Sequence, residues 1–313
     1  MTTTGSVGLD QSAYDKLAYF ALRPELHYDV IADVQPTRQS MPGSAVIFTQ
    51  ITDLTVVTAA ISESVDIDAV AMADSNVTVT LLEYGNSVNT TKKLRATSYI
   101  EVNPVVANII GFNAGRSIDS VAEITVRAGS NVRYAGDATA RNTVEPVDTL
   151  LARNVRRARA ELVGANVAPN RGNLYTAYIH PDVAYDFTGE TGEAGWRAPH
   201  VYSSPENIWT SEIGAFGGFA FIETPRAPVF ADAGSSTTLT DVYATLFTGQ
   251  QAIAKAYSDV EGLGATPRVI MSPIVDKLKR FVPISWYHLV GYARFREASL
   301  RRVESASTIG TNA

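Results

Sequence analysis

Tyr99-Ile-Glu-Val-Asn-Pro-Val-Val-Ala-Asn-Ile-Ile-Gly-Phe-Asn-Ala-Gly-Arg-Ser-Ile-Asp-Ser-Val-Ala-Glu-Ile-Thr-Val-Arg-Ala-Gly129, closed by Asn131-Val-Arg-Tyr-Ala-Gly136, is the stretch whose reading decides the fold. Asn103-Pro104 reads as a helix start, with Asn as N-cap and Pro at the first helical position, where its missing N–H costs nothing. Val106, Ile110, Ala114, Val121 and Ile124 recur at helical spacing and define one apolar face. Gly111 and Gly115 each weaken a helix by about 1 kcal/mol relative to Ala. Their structural reading is close approach of packed chain; a hinge is the other. Gly129 is a C-terminal stop.

Upstream, residues 1–42 read as an arm. Ser12 to Leu22 has an amphipathic turn or two, and Pro24, Pro36 and Pro42 interrupt any longer element. From Gly43 the pattern turns to strand formers, Ala45–Thr49, Leu54–Thr58 and Val77–Leu81. The acidic, polar Ser62–Ser75 between them predicts a long hairpin. A two-stranded hairpin is marginal alone in water, so a projecting one needs a neighbour to lie on.

Downstream, Pro146–Val163 reads as a second helix, with Leu151, Val155, Ala158 and Leu162 on one face and Arg153, Arg156, Arg157 and Arg159 on the other. Those arginines are suited to nucleic acid, to an acidic segment of a neighbour or to water alone; with no interleaved aromatic residues, nucleic acid is the weakest of the three. Leu174–Ile179 is a compact strand, and His180-Pro181-Asp182 opens a short helix over Asp182–Phe187. Thr188–Asn207 reads as a loop, and Ile213–Ile222 as sheet with tight glycine turns. Val242–Phe247 and Ala252–Tyr257 read as a strand pair around Thr248-Gly249, and Phe281–Phe295 as a long strand buried on both faces.

The function classes narrow by exclusion. With 313 residues, 45% hydrophobic and 19% charged, the chain can bury a substantial core, and its low charge fraction hints at surface hidden between subunits. It has no cysteine, hence no disulfide, thiolate metal site or cysteine nucleophile. Its start has no signal-peptide pattern, and no apolar run approaches the roughly 20 residues that span a bilayer. The histidines at 27, 180, 200 and 288 show no metal-ligand spacing, and no cofactor motif is present. His180 beside Asp182 lacks a nucleophile motif and a third partner, so helix-end chemistry is the simpler reading.

Charge is distributed unevenly. Residues 1–90 carry eleven acidic and three basic side chains, a balance of −8, whereas residues 265–313 carry eight basic and three acidic, a balance of +5. Complementary patches of this kind steer association between copies of one chain; two solvated surfaces that never meet are the alternative. The candidate contact residues are Asp53, Glu63, Asp66, Asp68 and Asp74 on the acidic side, and Lys277, Lys279, Arg280, Arg294 and Arg296 on the basic side.

Taken together, the order of arm, acidic β loop, Pro-started helix ending in Ala128–Gly136, the unit Tyr178-Ile-His-Pro-Asp-Val-Ala-Tyr-Asp186 and Thr248-Gly-Gln-Gln-Ala-Ile-Ala254 resembles the major capsid proteins of tailed bacteriophages. The nearest resemblance is to the N-four-type branch, carried by residues 95–136 and 174–187. The resemblance implies an α+β chain with the Hong Kong 97 fold: an N-terminal arm (1–42), an extended loop (43–90), a peripheral domain with a spine helix (91–172 and 258–313) and an axial domain (173–257). It implies a non-enzymatic shell protein of the virion, assembled in the host cytoplasm, with no cofactor and no membrane. Its implied partners are copies of itself in hexamers and pentamers, a portal protein, separate scaffolding and decoration proteins, and packaged double-stranded DNA bound without sequence specificity. An encapsulin-like cargo shell shares the fold, and a hydrolase built on His180 and Asp182 is the enzyme alternative. Family members that cross-link the loop use Lys and Asn; residues 43–90 contain no Lys, so a cross-link donated by lysine from this loop is not expected.

Overall fold

Two β-sheets share one long helix. The computed structural model describes residues 27–37, 45–58, 60, 63, 66–98, 102–190, 212–235, 239–258, 264–271, 278 and 280–309. The strands are β1 (Ala32–Thr37), β2 (Ala45–Ile51), β3 (Asp74–Thr80), β4 (Leu82–Thr91), β5 (Val132–Tyr134), β6 (Tyr175–Ile179), β7 (Glu212–Phe216), β8 (Phe219–Glu223), β9 (Val229–Phe230), β10 (Val242–Thr248), β11 (Ile253–Ser258), β12 (Arg268–Met271), β13 (Phe281–Arg294) and β14 (Leu300–Ser305). The α-helices are α1 (Lys92–Thr97), α2 (Val102–Arg127), α3 (Ala152–Gly164) and α4 (Pro181–Gly189).

The long predicted helix is α2, and it begins at Val102, one residue before the expected cap. Asn103 is therefore helical, and Pro104 falls in the first turn, where no intrahelical N–H bond is lost. The buried seam is Ile110, Ala114, Ile118, Ala122 and Val126, one residue in four. Each four-residue step overshoots a full turn by about 40°, so the seam winds around the helix and its two halves face different partners. Ile110, Ala114 and Ile118 pack on Ile284, Trp286 and Val290 of β13. Ala122 and Val126 pack with Tyr28, Tyr178, Leu246, Ile253 and Leu300. Ile124, expected on the apolar face, points outward because it lies two residues, about 200°, from Ala122.

The smaller sheet runs β1-β11-β13-β12, with β4 along the other edge of β13. The larger runs β5-β14-β10-β6-β8-β7, with β9 also on β10. In the larger sheet β6 and β10 are buried along their whole length, as apolar central strands require. Tyr175, Ala177 and Ile179 face α3 and α4, while Tyr178 faces α2, so helices cover both sides.

Two expectations need correction. Residues 242–248 and 253–258 are strands but not partners: β10 lies in the larger sheet and β11 in the smaller. Gly249 and Gln250 donate to Ser299 and Ala168 carbonyls and Gln251 takes φ 58°, so the chain turns a corner between sheets instead of closing a hairpin. The second helix starts at Ala152, not Pro146, because Glu145–Asp148 closes as a turn in which Asp148 accepts from the Glu145 N–H at 2.9 Å.

Candidate assembly interface

The hairpin expected from the β-branched runs is β2 paired with β3, from Ala45↔Thr80 to Ile51↔Asp74. Its root is anchored: Phe48, Val79 and Leu81 are buried with Ala254 and Ala256, and Phe48 lies 5.7 Å from the Phe295 ring. At Gly291 the hairpin root and β13 touch through backbone, and a Cβ there would collide with the Thr80 carbonyl. Beyond Ile51 the chain leaves the sheet. Leu54–Thr58, expected as a strand, has no strand partner among the described residues. Val56 and Val57 are 82% and 79% exposed, and Leu54, Ile67, Val70 and Met72 are exposed with them. Asp53, Glu63, Asp66, Asp68 and Asp74 are all exposed on this loop or at its mouth. A tip with this much uncovered apolar surface is unusual for a protein that works alone.

The basic candidates do not form one patch. Arg280 and Arg294 stand at opposite ends of β13, roughly 45 Å apart at about 3.3 Å per residue. Lys277 and Lys279 lie outside the described residues. Arg294 pairs with Glu297 at 2.9 Å and donates to the Ala128 carbonyl at 2.9 Å, while Arg302 donates to the Arg127 carbonyl. Arg296 donates to the Ala165 carbonyl, just past α3, at 3.2 Å. Tail arginines thus cap the C-terminal ends of both α2 and α3, where unpaired carbonyls and the helix dipole favour cations. Arg302 also pairs with buried Glu304 at 2.8 Å, which Arg141 holds from the other side. Much of the +5 balance is therefore internal structure, which charge counting along a sequence does not distinguish from free charge.

The segment before the hairpin is held by a buried polar cluster. Tyr28 is buried among Ala122, Val126, Tyr178 and Ile253. The Asp119 carboxylate on α2 accepts from the Tyr28 and Asp29 N–H groups at 2.7 and 3.1 Å, and its other oxygen pairs with Arg226 at 3.1 Å. Asp29 in turn accepts two 2.8 Å bonds from Lys255, which is only 3% exposed, and one from the Tyr292 hydroxyl. β1 then runs parallel to β11 from Ala32↔Ile253 to Thr37↔Ser258. Burial, with the Lys255 charge nearby, pushes buried His288 down to about 4, so this core histidine is neutral at pH 7. The sequence suits His288 to a packed core or interface position rather than to a metal site, but does not reveal the cluster. The signal was Lys255, a lone charge inside Ala252-Ile-Ala-Lys-Ala-Tyr257. Ser12–Leu22, read as part of the arm, lies outside the described residues.

His180 is the N-cap of α4: its Nδ1 accepts from the Asp182 N–H at 3.3 Å. Burial lowers its pKa, opposed by Asp182, so the acceptor form is favoured. Asp182 accepts from the Tyr243 hydroxyl at 2.8 Å, which makes it a packing group between α4 and β10. The α3 arginines are exposed as expected, and Glu161 gathers Arg133, Arg157 and Arg301 at 2.9–3.3 Å.

A family model described as phage capsid protein matches residues 3–309. Among solved structures, the capsid of Ralstonia phage GP4 superposes with a TM-score of 0.76 at 13% identity, covering 96% of each chain. The cyanophage Pam1 capsid asymmetric unit gives 0.76 at 11% identity, covering 100% of this chain and 99% of that one. The head structure of Helicobacter pylori bacteriophage KHP40 gives 0.71 at 11% identity, covering 97% and 98%. A comparison with curated protein sequences gave no match.

Proposed function

The chain belongs to the phage capsid protein family, and from that premise we propose how its copies hold one another in the head shell. As a major capsid protein it is a structural, non-enzymatic component of the virion with the Hong Kong 97 fold. The observation that carries the proposal is the β2–β3 hairpin: firmly rooted in its own subunit, apolar and acidic at its tip, and uncovered. The tip lies on an adjacent copy. There Asp53, Glu63, Asp66, Asp68 and Asp74 meet Lys277, Lys279 and Arg280, while Arg294 and Arg296, at the far end of β13, offer a separate contact only the donors left by their internal bonds.

The proposed division is arm 1–42, extended loop 43–90, peripheral domain 91–172 and 258–313, and axial domain 173–257. The two sheets support it, although α3 and β14 pack with the larger sheet and favour drawing those two with the axial part. Copies form hexamers and pentamers; a portal protein, separate scaffolding and decoration proteins, and non-specifically held double-stranded DNA complete the set of partners. Placement in the N-four-type branch rests on residues 95–136 and 174–187 alone. Many modest contacts, each ordering a neighbour's loop, give a stable shell through effective concentration.

The test is expression of the chain followed by sedimentation and negative-stain microscopy. Shells or capsomers are expected; a strictly monomeric species across salt and scaffolding conditions refutes the proposal. Reversing Glu63, Asp66 and Asp68 to Lys is expected to weaken assembly more at low salt than at high, since surface pairing is screened within about 8 Å at physiological ionic strength. An unchanged salt dependence removes the charge pairing.

A further inference from the structure

We propose that Leu54–Val57 of one copy adds as a strand to the open edge of β12 in a second copy. This rests on the reading that the loop lies on a neighbour. β12 has two properties that call for a partner. It pairs with β13, through Arg268↔Tyr287 to Met271↔Ile284, and its other edge has no strand partner among the described residues. Its side chains are exposed on both faces, Val269 by 41%, Ile270 by 43% and Met271 by 58%, and Leu278 beyond it is exposed too.

The loop supplies the complement. Residues 52–58 have no strand partner among the described residues, and Leu54, Val56 and Val57 are exposed strand formers. Backbone pairing across the edge satisfies both sets of polar groups, and side chains alternating above and below the strand cover Val269 and Ile270 on opposite faces. Charges match as well: Asp53 and the remaining loop carboxylates meet a strand that begins with Arg268 and is followed in sequence by Lys277, Lys279 and Arg280. Among the described residues the two halves do not pair with each other, and their matching apolar content and opposite charge make the occupant a second copy of this chain.

The chain has no cysteine, which gives a clean background for cross-linking. Val56→Cys with Ile270→Cys, oxidised in assembled particles, is expected to give a ladder of dimers, trimers and higher species on non-reducing gels. No ladder in well-formed particles, or an equal ladder when Val163→Cys on α3 replaces Ile270→Cys, overturns the proposal. Thr55→Pro and Val56→Pro are then made separately. Adjacent N–H groups point to opposite sides, so one of the two prolines must remove a bond to the partner. At least one is expected to cut particle yield tenfold or more while Thr55→Ala does not; full yield from both overturns strand addition. If Val56→Asp with Val57→Asp abolishes shells but Ile270→Asp leaves them intact, β12 is the wrong acceptor and the loop-on-neighbour reading stands. If both assemble at full yield, both fall.

Discussion

Removing the carboxylate of Asp29 should cost far more than removing the ammonium of Lys255 that it holds. The pair is asymmetric in burial: the lysine side chain is 4% exposed, whereas that of Asp29 is 35% exposed and keeps the Tyr292 hydroxyl as a donor. In Asp29→Asn the ammonium is left buried without its counter-charge, a loss of about 3–5 kcal/mol. In Lys255→Met the apolar stem is replaced in kind and the carboxylate turns to water, so about 1 kcal/mol is expected. The double variant should recover most of the Asp29→Asn loss. The assay is urea unfolding of unassembled subunits, followed by tryptophan fluorescence, for which Trp286 is buried against α2. Equal costs for the two single variants, or a double variant no more stable than Asp29→Asn, would refute the reasoning.

Three further outcomes are expected. Because the folded His288 value is lowered to about 4, its contribution is intact above pH 6.5 and is lost as pH falls toward 4, by about 3 kcal/mol; His288→Gln should flatten the acid side of the stability profile. Gly291→Ala forces a methyl against the Thr80 carbonyl and should cost about 1–3 kcal/mol in urea titrations, with accelerated proteolysis between residues 45 and 80. Asp119→Asn keeps the shape but strands Arg226, so about 3 kcal/mol of stability should be lost and amide exchange at Tyr28 and Asp29 should quicken.

What the sequence made legible was local. The α2 helix, the β2–β3 hairpin, the exposed α3 arginines and the long β13 follow from periodicity and punctuation a reader can see within thirty residues. What it hid was register across distance. The seam on α2 depends on two sets of partners, each more than 50 residues away, so the sequence points Ile124 inward when the inward residues are Ile118 and Ala122. The corner at Gly249–Gln251 looks like a hairpin because both kinds of turn use small residues; only the contacts with Ala168 and Ser299 distinguish them. The basic tail looked like a free surface because a count of arginines does not show which of them end on a carbonyl.

The placement of β13 and β14 bears on how such a chain is made. β13 is the strand to which β4, β11 and β12 all attach, and β14 joins β5 to β10. Neither sheet is complete without residues 281–305. The segment around Asp29 is held by Lys255, 226 positions later in the chain. A prematurely ended chain therefore lacks the hub of one sheet and a joining strand of the other. Without β13 the hairpin root loses its seat at Gly291 and Leu289, so such a chain is not expected to present the hairpin to a neighbour.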